Sequence, residues 1–230
     1  MANPLGWPRA IVFDLDGTLV DSAPDIQLAV NAAFAPLGVA PWGLDAVKGL
    51  IGGGAPAAVA RAAAMAGITL SAVDEKLTLD RFYAVYSEAS AAGRGLYPGA
   101  RELLDHLTSR RIPIGLCTNK AEPIARIALK ALRIDSYFGA VVGARDDLPK
   151  KPDPAMVLAA LAPLGVGPAD ALMVGDTKAD IGAAKAAGVR SIAISHGYSQ
   201  VPVHSLAADA VIAALAELPG AIDRLGNAKT

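Results

Sequence analysis

With 230 residues, 53% apolar and 19% charged, the chain is long enough to bury a substantial core and lacks the composition of a disordered segment or a small disulfide scaffold. Basic and acidic side chains nearly balance, 21 against 22 for a formal charge of -1, so no long-range field recruits nucleic acid or an anionic membrane. A single cysteine, Cys117, excludes an internal disulfide and cysteine-built zinc clusters; with neither a signal-peptide pattern nor an uninterrupted bilayer-length apolar run, a cytoplasmic protein without membrane contact is expected.

In chain order, the first element is the apolar run Ala10-Ile11-Val12-Phe13, bounded by turn chemistry and read as a buried strand. From about 21 to 94 no convincing strand follows, and helical periodicity covers 24–37, 55–66 and 71–91. Ser22 before Pro24, and Ser71 with Asp74 and Glu75, supply helix starts. Gly93, Gly95 and Pro98-Gly99 then mark a return to a different rhythm. Strand-like runs at 114–117, 140–142, 171–174 and 191–194 alternate with helical patterns at 99–110, 122–132, 154–164 and 177–187. Such alternation predicts an α/β fold with a doubly wound, Rossmann-like parallel sheet, because parallel strands need crossover helices and those helices cover both faces. Residues 1–20 and 95–230 are assigned to this core, and 21–94 to an inserted α-helical cap. An insertion directly after the first strand stands over the carboxyl ends of the sheet, where open α/β folds hold ligands, and so can serve as a lid.

Chemistry-bearing residues cluster at predicted strand ends. After the first strand come Asp14-Leu15-Asp16-Gly17-Thr18, whose two carboxylates would repel each other without a cation, a shared proton or full exposure; magnesium suits them best. Thr118-Asn119 follows the second core strand and offers a hydroxyl and a backbone amide suited to a phosphate oxygen. Lys151, just before a helix, offers a point charge for an oxyanion, whereas Lys150 reads as solvated. Gly175-Asp176 follows another strand, and Asp180 lies four residues further at a helix entry, close to the same face. Folding of the predicted sheet brings all of these to one rim.

The ordered set resembles the haloacid dehalogenase superfamily of phosphohydrolases, whose four motifs match Asp14-Leu15-Asp16-Gly17-Thr18, Thr118, Lys151 and Gly175-Asp176 with Asp180, across nearly the whole core. The resemblance implies that Asp14 is the nucleophile, Asp16 the general acid/base, and Thr118, Asn119 and Lys151 the phosphate-binding groups. Asp14, Asp16 and Asp176 would form the magnesium site, with Asp180 behind them. Asp16 favours phosphoryl transfer over carbon–halogen cleavage. The segments Asp21-Ser22-Ala23-Pro24-Asp25-Ile26, 47–56 and 148–154 look most like bacterial phosphoglycolate phosphatases, which implies 2-phosphoglycolate as substrate. Gly52, Gly53 and Gly54, at the start of a cap helix, would receive the substrate carboxylate on backbone amides or serve as a hinge or packing turn. The expected partner is thus a small-molecule phosphate ester, bound by a monomer or homodimer.

Other conspicuous residues have plainer readings. Cys117 reads as core, His106 as surface, and Phe82, Tyr83 and Tyr86 as helix-face packing, while His196 lies in a loop near the rim. Two rivals remain open at this point: a phosphosugar mutase or a phosphatase for another metabolite on the same core, and a receiver-like phospho-acceptor module. The receiver has the parts in another order and no cover over its site.

Overall fold

The computed structural model describes residues 6–227. Its centre is a six-stranded, all-parallel sheet built from β1 (Ala10–Phe13), β2 (Ile114–Ala121), β3 (Phe138–Ala144), β4 (Ala171–Gly175), β5 (Arg190–Ile194) and β6 (Ala210–Ile212), in the order β3-β2-β1-β4-β5-β6. The winding direction reverses at β1, the point where doubly wound sheets open a crevice beyond their carboxyl ends. Phe13 pairs in register with Leu116 of β2 and Val174 of β4, so the residues just beyond these positions emerge side by side.

Alternation along β1 divides the interior into two layers. Ile11 and Phe13 face a cluster with Leu103, Leu104 and Leu107 of α5 (Ala100–Ser109), Leu129 of α6 (Glu122–Ala131) and Ile222 of α9 (Leu218–Asn227). Ala10 and Val12 face Met156 and Val157 of α7 (Ala155–Leu161) and Ala183 and Ala184 of α8 (Lys178–Ala187). All four β1 residues are buried, which explains why the strand reads as a continuous apolar run. Full burial of a side chain such as Phe13 contributes about 1.5–3 kcal/mol.

Between β1 and β2 the chain forms α1 (Ala23–Phe34), α2 (Leu44–Lys48), α3 (Ala55–Ala66) and α4 (Ala72–Ala91). These helices share an apolar cluster of their own, containing Phe34, Val47, Val59, Phe82 and Tyr86, to which the core adds Ile124 and Tyr198. Ser71 caps α4 by accepting from the Asp74 amide at 3.2 Å, as its position suggested.

Some boundaries differ from the sequence expectation. The helices expected over 24–37 and 154–164 end at Phe34 and Leu161, and each continues as a 3₁₀ turn containing Pro36 or Pro163, because proline lacks the N–H that α-helical bonding needs. Strand β2 continues four residues past the expected 117, carrying Thr118, Asn119 and Lys120 within the strand. α2, β6 and α9 were not expected: β6 is only three residues long, too short for a periodic signal. No helix among the described residues is long and apolar enough to cross a membrane.

Candidate active site

The carboxyl ends of β1, β2 and β4, with the loop before α7 and the start of α8, bring Asp14, Asp16, Thr118, Lys151 and Asp180 around one cavity beneath the helical insertion. The cavity, about 60 Å³, is small, and the insertion contributes Ile51, Gly52, Gly53, Gly54, Phe82 and Tyr86 to its wall. Asp14, Asp176 and Asp180 present carboxylate oxygens within 4.8 Å of one another, all three residues buried.

Each carboxylate is held by a different element. Asp176 accepts from the Thr18 hydroxyl at 3.0 Å and the Tyr198 amide at 2.6 Å. Asp180 accepts from the Thr177 amide at 2.9 Å and hydroxyl at 2.6 Å, closing the capping box that starts α8. Its other oxygen accepts from Lys151 at 2.5 Å. Asp14 Oδ1 lies 2.9 Å from the Lys151 ammonium but has no aligned hydrogen bond. Gly17 supplies the tight approach in the first motif: its φ is +86°, and a Cβ there would collide with the Asp176 carboxylate and the Tyr198 ring.

Crowding of like charges in a dry site has the expected electrostatic result. Burial, with Asp180 and Asp16 adding to it, raises the Asp14 carboxyl to about 7 although Lys151 opposes the shift. Burial followed by the charges of Asp180 and Asp14 holds Asp176 well above the usual carboxylate range. Burial disfavours the Lys151 charge, yet Asp14 and Asp180 outweigh it and keep that ammonium above its ordinary value. The residues fit a hard divalent cation: three buried carboxylates, one oxygen of them lacking a donor, make an all-oxygen set whose mutual repulsion such an ion would relieve.

The predicted residues converge, but with unequal partners. Asp16 points to the cavity while its carboxylate pairs with Lys120 at 3.1 Å, outside the Asp14–Asp176–Asp180 trio. Thr118 is buried and its hydroxyl accepts from the Lys120 amide at 3.3 Å. The Asn119 carboxamide is committed to the backbone of Lys151, accepting from its N–H and donating to its carbonyl, both at 3.0 Å. It therefore positions Lys151, and the ammonium is further anchored by donating to the Cys117 carbonyl at 2.6 Å. Gly52, Gly53 and Gly54 line the cavity with φ of +104°, +82° and +82°, and Arg61 donates to the Gly52 carbonyl at 2.7 Å. A Cβ on Gly54 would collide with the Asn119 carbonyl, so the insertion packs directly on β2.

Lys120 and Tyr198 went unrecognised in the sequence, and Tyr86 reads there as packing alone. Lys120 sits two residues beyond Thr118 in an extended segment, a spacing that can return a side chain to the same face, and this was the available signal. Tyr86 and Phe82 do pack as expected, but they also wall the cavity. Tyr198 donates to Asp21 at 2.5 Å and accepts from the Ala23 amide at 3.0 Å, tying the loop after β5 to the start of α1. Burial pushes the Cys117 thiol up to about 12, in keeping with a core residue. His106 is exposed, and His196 stacks on Tyr97 at 3.9 Å between ring centroids.

Known proteins share this chain's sequence pattern and fold. The chain is 44% identical to a phosphoglycolate phosphatase of Rhodospirillum rubrum, covering 95% of each protein. It is 40% identical to a phosphoglycolate phosphatase of Cereibacter sphaeroides, covering 94% of this chain and 98% of that one. Among solved structures, a predicted phosphoglycolate phosphatase from Haemophilus somnus superposes with a TM-score of 0.85 at 29% identity, over 95% of this chain and 99% of its own. CbbY from Rhodobacter sphaeroides, in complex with phosphate, superposes with a TM-score of 0.79 at 25% identity, over 92% and 96%. The family profile of haloacid dehalogenase-like hydrolases matches residues 11–194, and the chain belongs to that family.

Proposed function

We propose that this hydrolase is a magnesium-dependent phosphatase that converts 2-phosphoglycolate to glycolate and inorganic phosphate through an aspartyl-phosphate intermediate. The observation that carries the reading is the gathering of the Asp14, Asp176 and Asp180 carboxylates around the buried Lys151 ammonium, with Asp16 beside them under a helical cover. The names of relatives at 40–44% identity support the substrate, and the small cavity suits a two-carbon ester. Residues 1–20 and 95–230 form the catalytic core in this reading, of which 1–5 and 228–230 lie outside the described residues, and 21–94 form the cap.

Asp14 attacks phosphorus, a phosphorus–oxygen bond forms to its carboxylate, and the bond to the ester oxygen breaks. Asp16 gives its proton to the departing glycolate oxygen. In the second half, Asp16 takes a proton from water as that water attacks phosphorus, which releases phosphate and restores Asp14. Lys151, with the Thr118 hydroxyl beside it, holds phosphoryl oxygens, and Asn119 keeps Lys151 in place. Asp14, Asp176 and Asp180 are the residues that would hold magnesium, whose charge offsets the repulsion between a phosphate dianion and an attacking carboxylate. The cap excludes water and strengthens these interactions.

The test is phosphate release across a panel of small phosphate esters that includes 2-phosphoglycolate, with magnesium and after chelation. Repeated turnover that needs magnesium and is fastest on 2-phosphoglycolate is expected. Conservation of the phosphoryl group in an organic product, or a single release per protein molecule, would overturn the reading.

A further inference from the structure

Lys120 takes no part in the roles assigned above, yet it is the second buried ammonium group at this cavity. Its side chain is 2% exposed, its Nζ lies 3.1 Å from Asp16 Oδ1, and it donates to the Tyr86 hydroxyl at 2.5 Å. The same Nζ stands 4.0 Å from the centroid of the Tyr86 ring. Two partners leave one of the three donors of an ammonium group for a ligand. Lys151, to which the phosphoryl group is assigned, faces the Cys117 carbonyl, Asp180 and Asp14, and Arg61 donates to the carbonyls of Leu50 and Gly52.

Keeping an ammonium group this far from water is costly unless its charge is used. The proposed substrate carries a second anion, and in that reading the phosphate lies against Lys151 and the Asp14, Asp176 and Asp180 carboxylates. Asp16 must reach the ester oxygen to protonate it. In a two-carbon acid the carboxylate oxygens lie only about 3 Å from that ester oxygen, from bond lengths alone. A cation 3.1 Å from Asp16 is therefore within one carboxylate's reach of the bond that breaks.

We infer that Lys120 is a specificity-determining residue that receives the substrate's carboxylate, with the Tyr86 hydroxyl holding the ammonium in position. The inference rests on the reading of 2-phosphoglycolate as substrate and adds the group that recognises its acid end. Burial keeps the Tyr86 hydroxyl protonated, with the Asp16 charge adding to the effect, so it remains a neutral partner that does not compete with the carboxylate for the cation.

The experiment compares kcat/KM for 2-phosphoglycolate with that for 2-hydroxyethyl phosphate, the ester of equal length with a neutral alcohol, in the full chain with magnesium. Native protein, Lys120→Met and Lys120→Gln are measured, and the ratio of the two substrates is taken within each preparation, so an incompletely folded fraction cancels. The native ratio is expected to favour 2-phosphoglycolate, and both variants are expected to lower it roughly 10- to 100-fold, mainly through KM, the range for a hydrogen bond to a charged group. A native ratio near one would defeat the substrate reading and the inference with it. A native preference that survives undiminished in both variants would defeat the role of Lys120 alone.

Discussion

Removing the Lys151 ammonium should expose how much unfavourable charge the site stores. In Lys151→Met, two buried carboxylates, Asp14 at 2.9 Å and Asp180 at 2.5 Å from the former ammonium, lose their cation, and the Cys117 carbonyl loses its donor. Breaking a buried ion pair by deleting one member costs about 3–5 kcal/mol. For a chain of this size each kcal/mol moves the melting temperature by about 2–4 °C, so a fall of roughly 6–20 °C is expected for the metal-free protein. The pH dependence follows from Asp14, whose carboxyl already titrates near 7 with Lys151 present. A carboxyl raised above its unfolded value lowers stability as pH climbs from that value towards the folded one, and loss of Lys151 raises it further. The deficit should therefore be larger at pH 8 than at pH 5.5. Calorimetric melting in chelator at both pH values measures this, and Lys151→Met with Asp180→Asn should recover part of the loss by deleting one uncompensated charge. A fall below about 2 °C at pH 8 would refute the claim that Lys151 is the principal internal counter-charge.

Three further outcomes are expected. Asp14→Asn should abolish phosphate release while circular dichroism remains native, because a neutral amide cannot form the acyl phosphate; near-normal turnover in a folded preparation would remove Asp14 as nucleophile. Protons on Asp14, raised to about 7, and on Asp176, also held above the usual carboxylate range, compete with magnesium, so the magnesium dissociation constant should weaken by about tenfold or more per pH unit below 7. Isothermal titration from pH 6 to 8.5 reads this directly, and a flat profile would contradict the buried carboxylate cluster. Gly54→Ala places a Cβ against the Asn119 carbonyl at φ +82°, so kcat/KM should drop about tenfold or more, with a smaller melting shift than Lys151→Met. Unchanged kinetics would show that the cap does not rest on β2 during turnover.

Much of the architecture was readable in one dimension because its signals are local. Apolar runs such as Ala10–Phe13 and Ala171–Gly175 are buried on both faces and need no partner to be recognised, and the motifs lie within a few residues of their ends. Proline placed the two 3₁₀ turns within reach of the same reasoning, although periodicity carried the expected helices through them. β6 was lost because three residues show no alternation; what makes Ala210–Ile212 a strand is its pairing with β5.

At the site, residue types and strand-end placement determined which groups gather: Asp14, Asp16, Thr118, Lys151, Asp176 and Asp180 were all legible. The choice of partner within that gathering belonged to the tertiary structure. Asp16 meets Lys120 across 104 residues of chain, and the Asn119 carboxamide meets Lys151 across 32. No local pattern encodes these pairings, since only the side-by-side placement of β1 and β2 and the return of the loop before α7 to the end of β2 bring the atoms within hydrogen-bonding distance. Burial then acts on those distances: once water is excluded, a few ångströms separate a paired charge from a frustrated one, and that distinction has no trace in the order of the residues.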